Sequence, residues 1–206
     1  MKRRELGALF HKHGYRDFKW IDPQRIVVSQ WVRMKCMYGC GEFGHNAACP
    51  PNTPSVAECE RFFREYNSAV IFHFEKKVDK PEDRHAWSRE VNMGLFKLER
   101  AVFLMDYERA FLLFMDSCNL CATCSEERGT CTEPMIARPS PEAMAMDVYS
   151  TVRVVGYPIA PLTDYSQAMN RYAFLMVLFM LSLWMPCGHR LYVLCVGLFP
   201  RIRSIS

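Results

Sequence analysis

The sequence predicts a mixed fold, α/β or α+β: a small sheet with flanking helices and two cysteine-rich metal-binding loops. Three observations predict it. Residues 69–74, 110–115 and 172–177 are short apolar runs, which suit buried strands. Longer stretches around them repeat apolar residues every three or four positions, as amphipathic helices do. Strands that alternate with helices pack as layers around one core. Seven of the ten cysteines fall into two polar, glycine- and proline-broken stretches between those elements.

Taken in order, residues 3–13 suit a short helix ended by Gly14. Residues 15–35 look extended, since Ile26, Val27, Val28, Trp31 and Val32 favour a pleated surface. Glycines and prolines make residues 36–54 a loop. Ser55 with Glu58 three residues on is a capping-box pattern that opens a helix to about Tyr66. That helix aligns Val56, Cys59, Phe62, Phe63 and Tyr66 on one face. The run at 69–74 follows as a buried strand, in which His73 is a core histidine. Residues 83–105 form the longest helix. Trp87, Val91, Leu95, Leu98, Val102 and Met105 lie on its apolar face, with Arg89, Lys97, Glu99 and Arg100 opposite. A second buried strand, 110–115, delivers the chain to Cys118. Ser140 before Pro141 is a helix start, for a helix at 141–155 ended by Gly156. Residues 172–177 make the closing strand.

The chain has 206 residues, of which 50% are hydrophobic and 23% charged, a globular balance that excludes a disordered chain. Net charge is only +4 and the basic residues are scattered, so no nucleic-acid partner is expected. The basic start, Lys2-Arg3-Arg4, is not followed by an apolar segment, so no secretory leader is expected and the location is cytoplasmic. Thiols stay reduced there, and clustered reduced thiols are metal ligands or catalytic groups rather than disulfides. Residues 172–185 and 191–199 are apolar but too short to cross a bilayer, which takes about 20 residues. They fit a strand with a hydrophobic extension better than a hairpin on a membrane surface, so no membrane partner is expected.

Cys118, Cys121 and Cys124 have C-x2-C-x2-C spacing, and Cys131 follows. Thiolates are soft ligands that suit iron–sulfur clusters, zinc and copper(I). A third cysteine after two more residues is the ferredoxin habit, whereas zinc knuckles take two cysteines from each turn. Cys131 either closes the same cluster or reaches toward a second one. Cys36, Cys40 and Cys49 form a less specific C-x3-C-x8-C set, in which glycines let the backbone approach a cluster. Its fourth ligand is His45, Cys59, Cys131 or an open position. Cys59, on the apolar helix face, fits a buried structural thiol better. His85 is a surface residue, and Cys187 and Cys195 are incidental.

These residues resemble a family of small predicted metal-binding proteins, a domain family of unknown function found mostly in anaerobic bacteria and archaea. The resemblance rests on Lys35-Cys36-Met37-Tyr38-Gly39-Cys40 leading to Cys49-Pro50-Pro51 and Pro54, and on Cys118, Cys121, Cys124 and Cys131. It continues through Arg138-Pro139-Ser140, Glu142-Ala143, Asp147-Val148 and Thr151-Val152-Arg153, covering about residues 25–177. It implies metal binding, plausibly iron–sulfur, through Cys36, Cys40, Cys49, Cys118, Cys121, Cys124 and Cys131, and it implies no particular reaction. Such proteins look as if they end near residue 177. Residues 1–177 are therefore expected to form one metal-binding domain, and 178–206 an atypical hydrophobic C-terminal extension.

The expected function is an iron–sulfur protein. One 4Fe–4S cluster sits on Cys118, Cys121, Cys124 and Cys131, and a second metal site, one or two clusters in all, uses Cys36, Cys40 and Cys49. It would serve electron transfer or assist a redox enzyme, with a redox protein as partner. The alternatives are an enzyme using an open-site cluster as Lewis acid and a zinc-stabilised binding module. No phosphate loop or nucleophile–base motif points to a small-molecule substrate.

Overall fold

The computed structural model describes residues 2–76, 83–159 and 172–181. Its centre is an antiparallel four-stranded sheet in the order β1-β2-β4-β3. The strands are β1 (Phe18–Ile21), β2 (Ser68–Lys76), β3 (Phe111–Leu112) and β4 (Tyr172–Leu181). The helices are α1 (Lys2–Lys12), α2 (Gln30–Gly39), α3 (Val56–Arg64), α4 (Asp83–Phe103) and α5 (Val148–Val154). Of the two fold classes expected, this arrangement is α+β, since every strand pair is antiparallel.

Side chains alternate across a strand, and β2 uses both faces. Val70 and Phe72 pack with Leu6 and Phe10 of α1 and with Leu95, Leu98 and Val102 of α4. Ala69 and Ile71 pack with Cys59 and Phe63 of α3 and with Val152 of α5. The sheet is thus sandwiched between α1 with α4 and α3 with α5. The chain after β3 continues the alternation: Phe114 joins the first core, Leu113 the second.

Several local expectations hold. Gly14 follows α1 with a φ of 88°, a left-handed turn that suits glycine. Ser55 caps α3 through a complete capping box with Glu58. Cys59 is fully buried, its thiol 3.5 Å from the Pro54 carbonyl and 4.0 Å from the Met144 sulfur. His85 is exposed. Strand β4 covers the expected 172–177 run and continues to Leu181. Cys187 and Cys195, with most of the expected extension, lie outside the described residues.

Three expectations are corrected. Residues 30–39 are helix α2, where extended chain to residue 35 and loop from 36 were expected, so Cys36 sits on a helix and the loop begins at Cys40. Val32 is the one β-branched residue of that segment; Gln30, Arg33, Met34, Lys35 and Met37 are good helix formers. No helix starts at Ser140. Residues 141–145 make a turn in which Ala145 takes a φ of 57°, and α5 begins only after Asp147, whose carboxylate accepts the Ser150 amide. Tertiary pairing overrides the Ser-Pro signal there: the Ser29 amide donates to the Ala145 carbonyl and the Asp147 amide to the Val27 carbonyl, both at 2.9 Å or less. Glu99, placed on the polar face of the long helix, is 1% exposed. It accepts the Leu112 amide at 2.8 Å and pairs with Arg138 at 2.9 Å.

Candidate metal centre

The two cysteine loops meet beside the core formed with α1 and α4. The downstream loop leaves the core after β3. Asn92 on α4 fixes its approach, exchanging two 2.9 Å hydrogen bonds with the Met115 backbone. Cys118, Cys121 and Cys131 then pack at the edge of the core formed with α1 and α4, beside Leu120 and Ala137. The upstream loop leaves α2, whose last turn carries Cys36 and whose C-cap is Cys40. Arg33 on the same helix donates to the carbonyls of Pro54 and Ala143, at 3.0 and 3.1 Å, and so ties both ends of that loop to the 141–145 turn.

The two loops pack against each other. Asn46, 3% exposed, donates through Nδ2 to the Cys118 carbonyl at 2.8 Å and to Glu42 Oε2 at 2.9 Å. Its Oδ1 accepts the Ala48 amide at 3.0 Å, and its own carbonyl accepts the Cys49 amide at 3.0 Å. Asn52 donates to the carbonyls of Asn46 and Glu126, and accepts the Arg128 amide. The Ala47 amide donates to Cys124 Sγ at 3.3 Å. Neither asparagine carries a sequence pattern that announces it; only the fold reveals their part in joining the loops.

A pocket of about 350 Å³, counting space open to solvent, lies at this junction. Cys118, Cys121, Cys124 and Cys131 all line it, and Asn46, Ala47 and Ala48 of the other loop form its wall. Cys36 is half-buried, Cys40 exposed and Cys49 buried. Among the described residues, no three His, Cys, Asp or Glu side chains converge closely enough to hold a metal ion. The downstream thiols therefore share a pocket without yet meeting at one point. His45, offered as a ligand by its position, is an exposed residue with Nδ1 3.4 Å from Glu126 Oε1, a further bridge between the loops. Cys59 is committed to the core on the far side of the sheet, and Cys131 belongs to the downstream pocket.

The electrostatics favour protonated thiols. Burial pushes the Cys49 thiol up to about 12, helped by the Glu42 carboxylate and by the thiols of Cys40, Cys36 and Cys118. Burial also raises Cys118; the Leu120 amide opposes this, and Cys131, Cys121 and Cys124 add to it. Cys36 rises for the same first reason, with Cys40 beside it. Only the thiolate binds metal, so loading must expel these protons, and a bound cation reverses the mutual repulsion.

The family model described as "Predicted metal-binding protein (DUF2284)" matches residues 19–177. The chain belongs to this family. The match spans β2, β3, most of β1 and β4, both cysteine loops and the Arg138 segment, so the matched region of this family of predicted metal-binding proteins includes the pocket. No curated protein and no solved structure matches the chain.

A second cavity lies against β2, lined by Tyr15, Arg16, Asp17, Phe72, His73, Phe74 and Glu75 among others. His73 bonds to Asp17 Oδ2 there, and Tyr157 donates to Asp17 Oδ1 at 2.7 Å. His73, expected as a core histidine, is half-buried and lines this cavity instead. Among the described residues no helix is long and apolar enough to cross a membrane.

Proposed function

We propose that this protein is a cytoplasmic iron–sulfur protein that carries a 4Fe–4S cluster on Cys118, Cys121, Cys124 and Cys131. It would work in electron transfer, or beside a redox enzyme, with a redox protein as partner. The observation that carries this reading is the single pocket that four soft thiols line, with a backbone N–H aimed at one of the sulfurs. That donor set suits iron–sulfur chemistry, because amides aimed at sulfur stabilise a charge-rich cluster without competing for the metal. A bound cluster supplies one-electron chemistry at a potential set by charge, burial and hydrogen bonds to sulfur. The chain's own part is to hold the four thiolates at the core edge and to wall them with residues 46–48. Cys36, Cys40 and Cys49 are proposed as ligands of a second metal site.

An enzyme is the second reading. Cys40 is exposed while Cys49 is buried, so the upstream site faces solvent on one side, where a substrate could reach an incompletely ligated metal. Iron and acid-labile sulfide measured on anaerobically purified protein test the first reading. Both should be present, with a broad visible absorption that bleaches on reduction and is lost in Cys124→Ser. A colourless protein that holds zinc instead, and keeps it in Cys124→Ser, overturns it in favour of a zinc-stabilised binding module.

A further inference from the structure

The upstream loop carries its own cysteines, yet its residues 46–48 wall the downstream pocket. Two asparagines fix that wall. Asn46 is buried and uses its whole amide: Nδ2 on the Cys118 carbonyl and on Glu42, Oδ1 under the Ala48 amide. Asn52 holds the same turn from outside, on the carbonyls of Asn46 and Glu126. Held from both sides, the Ala47 N–H is left aimed at Cys124 Sγ, 3.3 Å away. A buried polar side chain with every group bonded is rigid, and its loss leaves partners unsatisfied.

We propose that the upstream loop sets the reduction potential of the downstream centre, through the Ala47 N–H on Cys124 Sγ, with Asn46 as the positioning residue. The proposal rests on the reading that Cys118, Cys121, Cys124 and Cys131 carry an iron–sulfur cluster. A hydrogen bond to a ligand sulfur draws electron density from it, and this favours the reduced, more negative state. The hydrogen bonds of Asn46 go to backbone groups and to Glu42, not to a sulfur. It acts by fixing the Ala47 amide and by tethering the start of the downstream loop at Cys118. The same two contacts make the state of the upstream loop felt at the downstream cluster, so a metal bound at Cys36, Cys40 and Cys49 would be sensed there.

The test is an anaerobic dithionite titration of the purified full chain, followed by visible absorption. Asn46→Ala should keep its iron and shift the reduction equilibrium about tenfold toward the oxidised state, ~59 mV lower for a one-electron couple. A variant with wild-type iron content and an unmoved potential overturns the inference and leaves the iron–sulfur reading standing. A wild-type protein that holds no cluster overturns both. If Asn46→Ala fails to fold, wild-type protein labelled with 15N-alanine decides the matter by pulsed EPR of the reduced cluster. One alanine nitrogen coupling should vanish in Ala47→Gly, whose amide is present but unlabelled. A spectrum identical in the two proteins overturns the inference.

Discussion

Asp17 shows how much one residue can organise. It precedes β1, and it accepts hydrogen bonds from His73 on β2 and from Tyr157 beyond α5. Burial pushes its carboxyl up, but bonds from His73 and Tyr157, with the charges of His73 and Lys19, leave it below the ordinary carboxylate range. The sign follows from linkage. A carboxyl held low when folded adds stability above its unfolded value and loses that contribution as pH falls through the folded one. Acid unfolding of the wild type, followed by circular dichroism, should therefore steepen in the acid range below the ordinary aspartate value. Asp17→Asn should be less stable at neutral pH and show a flatter acid limb. An acid limb of equal slope in both would remove Asp17 from this role. None of this was legible in the sequence, where His73 shows only as a histidine alternating within an apolar run. Its partners lie on other elements, and pattern within one element cannot name them.

At the scale of elements, the fold keeps those features whose signal lies within one element. The capping box of α3, the apolar stripe of α4 and the run of β2 all carry local signals that the fold keeps. Reading failed where a tertiary bond competes with a local one. Ile26, Val27, Val28, Trp31 and Val32 point to extended chain over 15–35, although the propensities from residue 30 on favour a helix. Ser140-Pro141 promised a helix start, but backbone pairing of Ala145 and Asp147 with Ser29 and Val27 bends the chain there instead. Glu99 was misplaced because a charged residue on a helix is usually solvated. Here it is the buried anchor that holds β3 through the Leu112 amide and holds Arg138 beside it. Breaking one member of a buried pair strands the other, at a cost of about 3–5 kcal/mol. Glu99→Ala should lower stability by that order, read as a lower denaturant midpoint at unchanged slope. A loss within experimental scatter would show that Arg138 finds another partner.

For the molecule as a whole, metal and fold are expected to be linked. The cysteine spacing made the ligand candidates legible, since C-x2-C-x2-C is local. It could not reveal that residues from the upstream loop form the wall of the downstream pocket. A ligand that binds only the folded chain stabilises it by mass action. Reconstitution with iron and sulfide should raise the thermal midpoint of the full chain. The gain should shrink as pH is lowered, because the buried thiols of Cys49 and Cys118 must release protons to bind. Calorimetry at two pH values checks both statements, and a gain independent of pH would mean that protons are not displaced from those thiols.

The sheet order carries a consequence for how the chain is made. Strand β2 is the middle of the core, yet one of its two neighbours is β4, so that Ser68 lies opposite Leu181. During synthesis both cysteine loops leave the ribosome before that neighbour exists. Until then β2 shows one unpaired edge, a template for the wrong strand. Contacts so distant along the chain close slowly. The growing chain thus passes through an interval in which its thiols are exposed to the cell while its sheet is still unfinished.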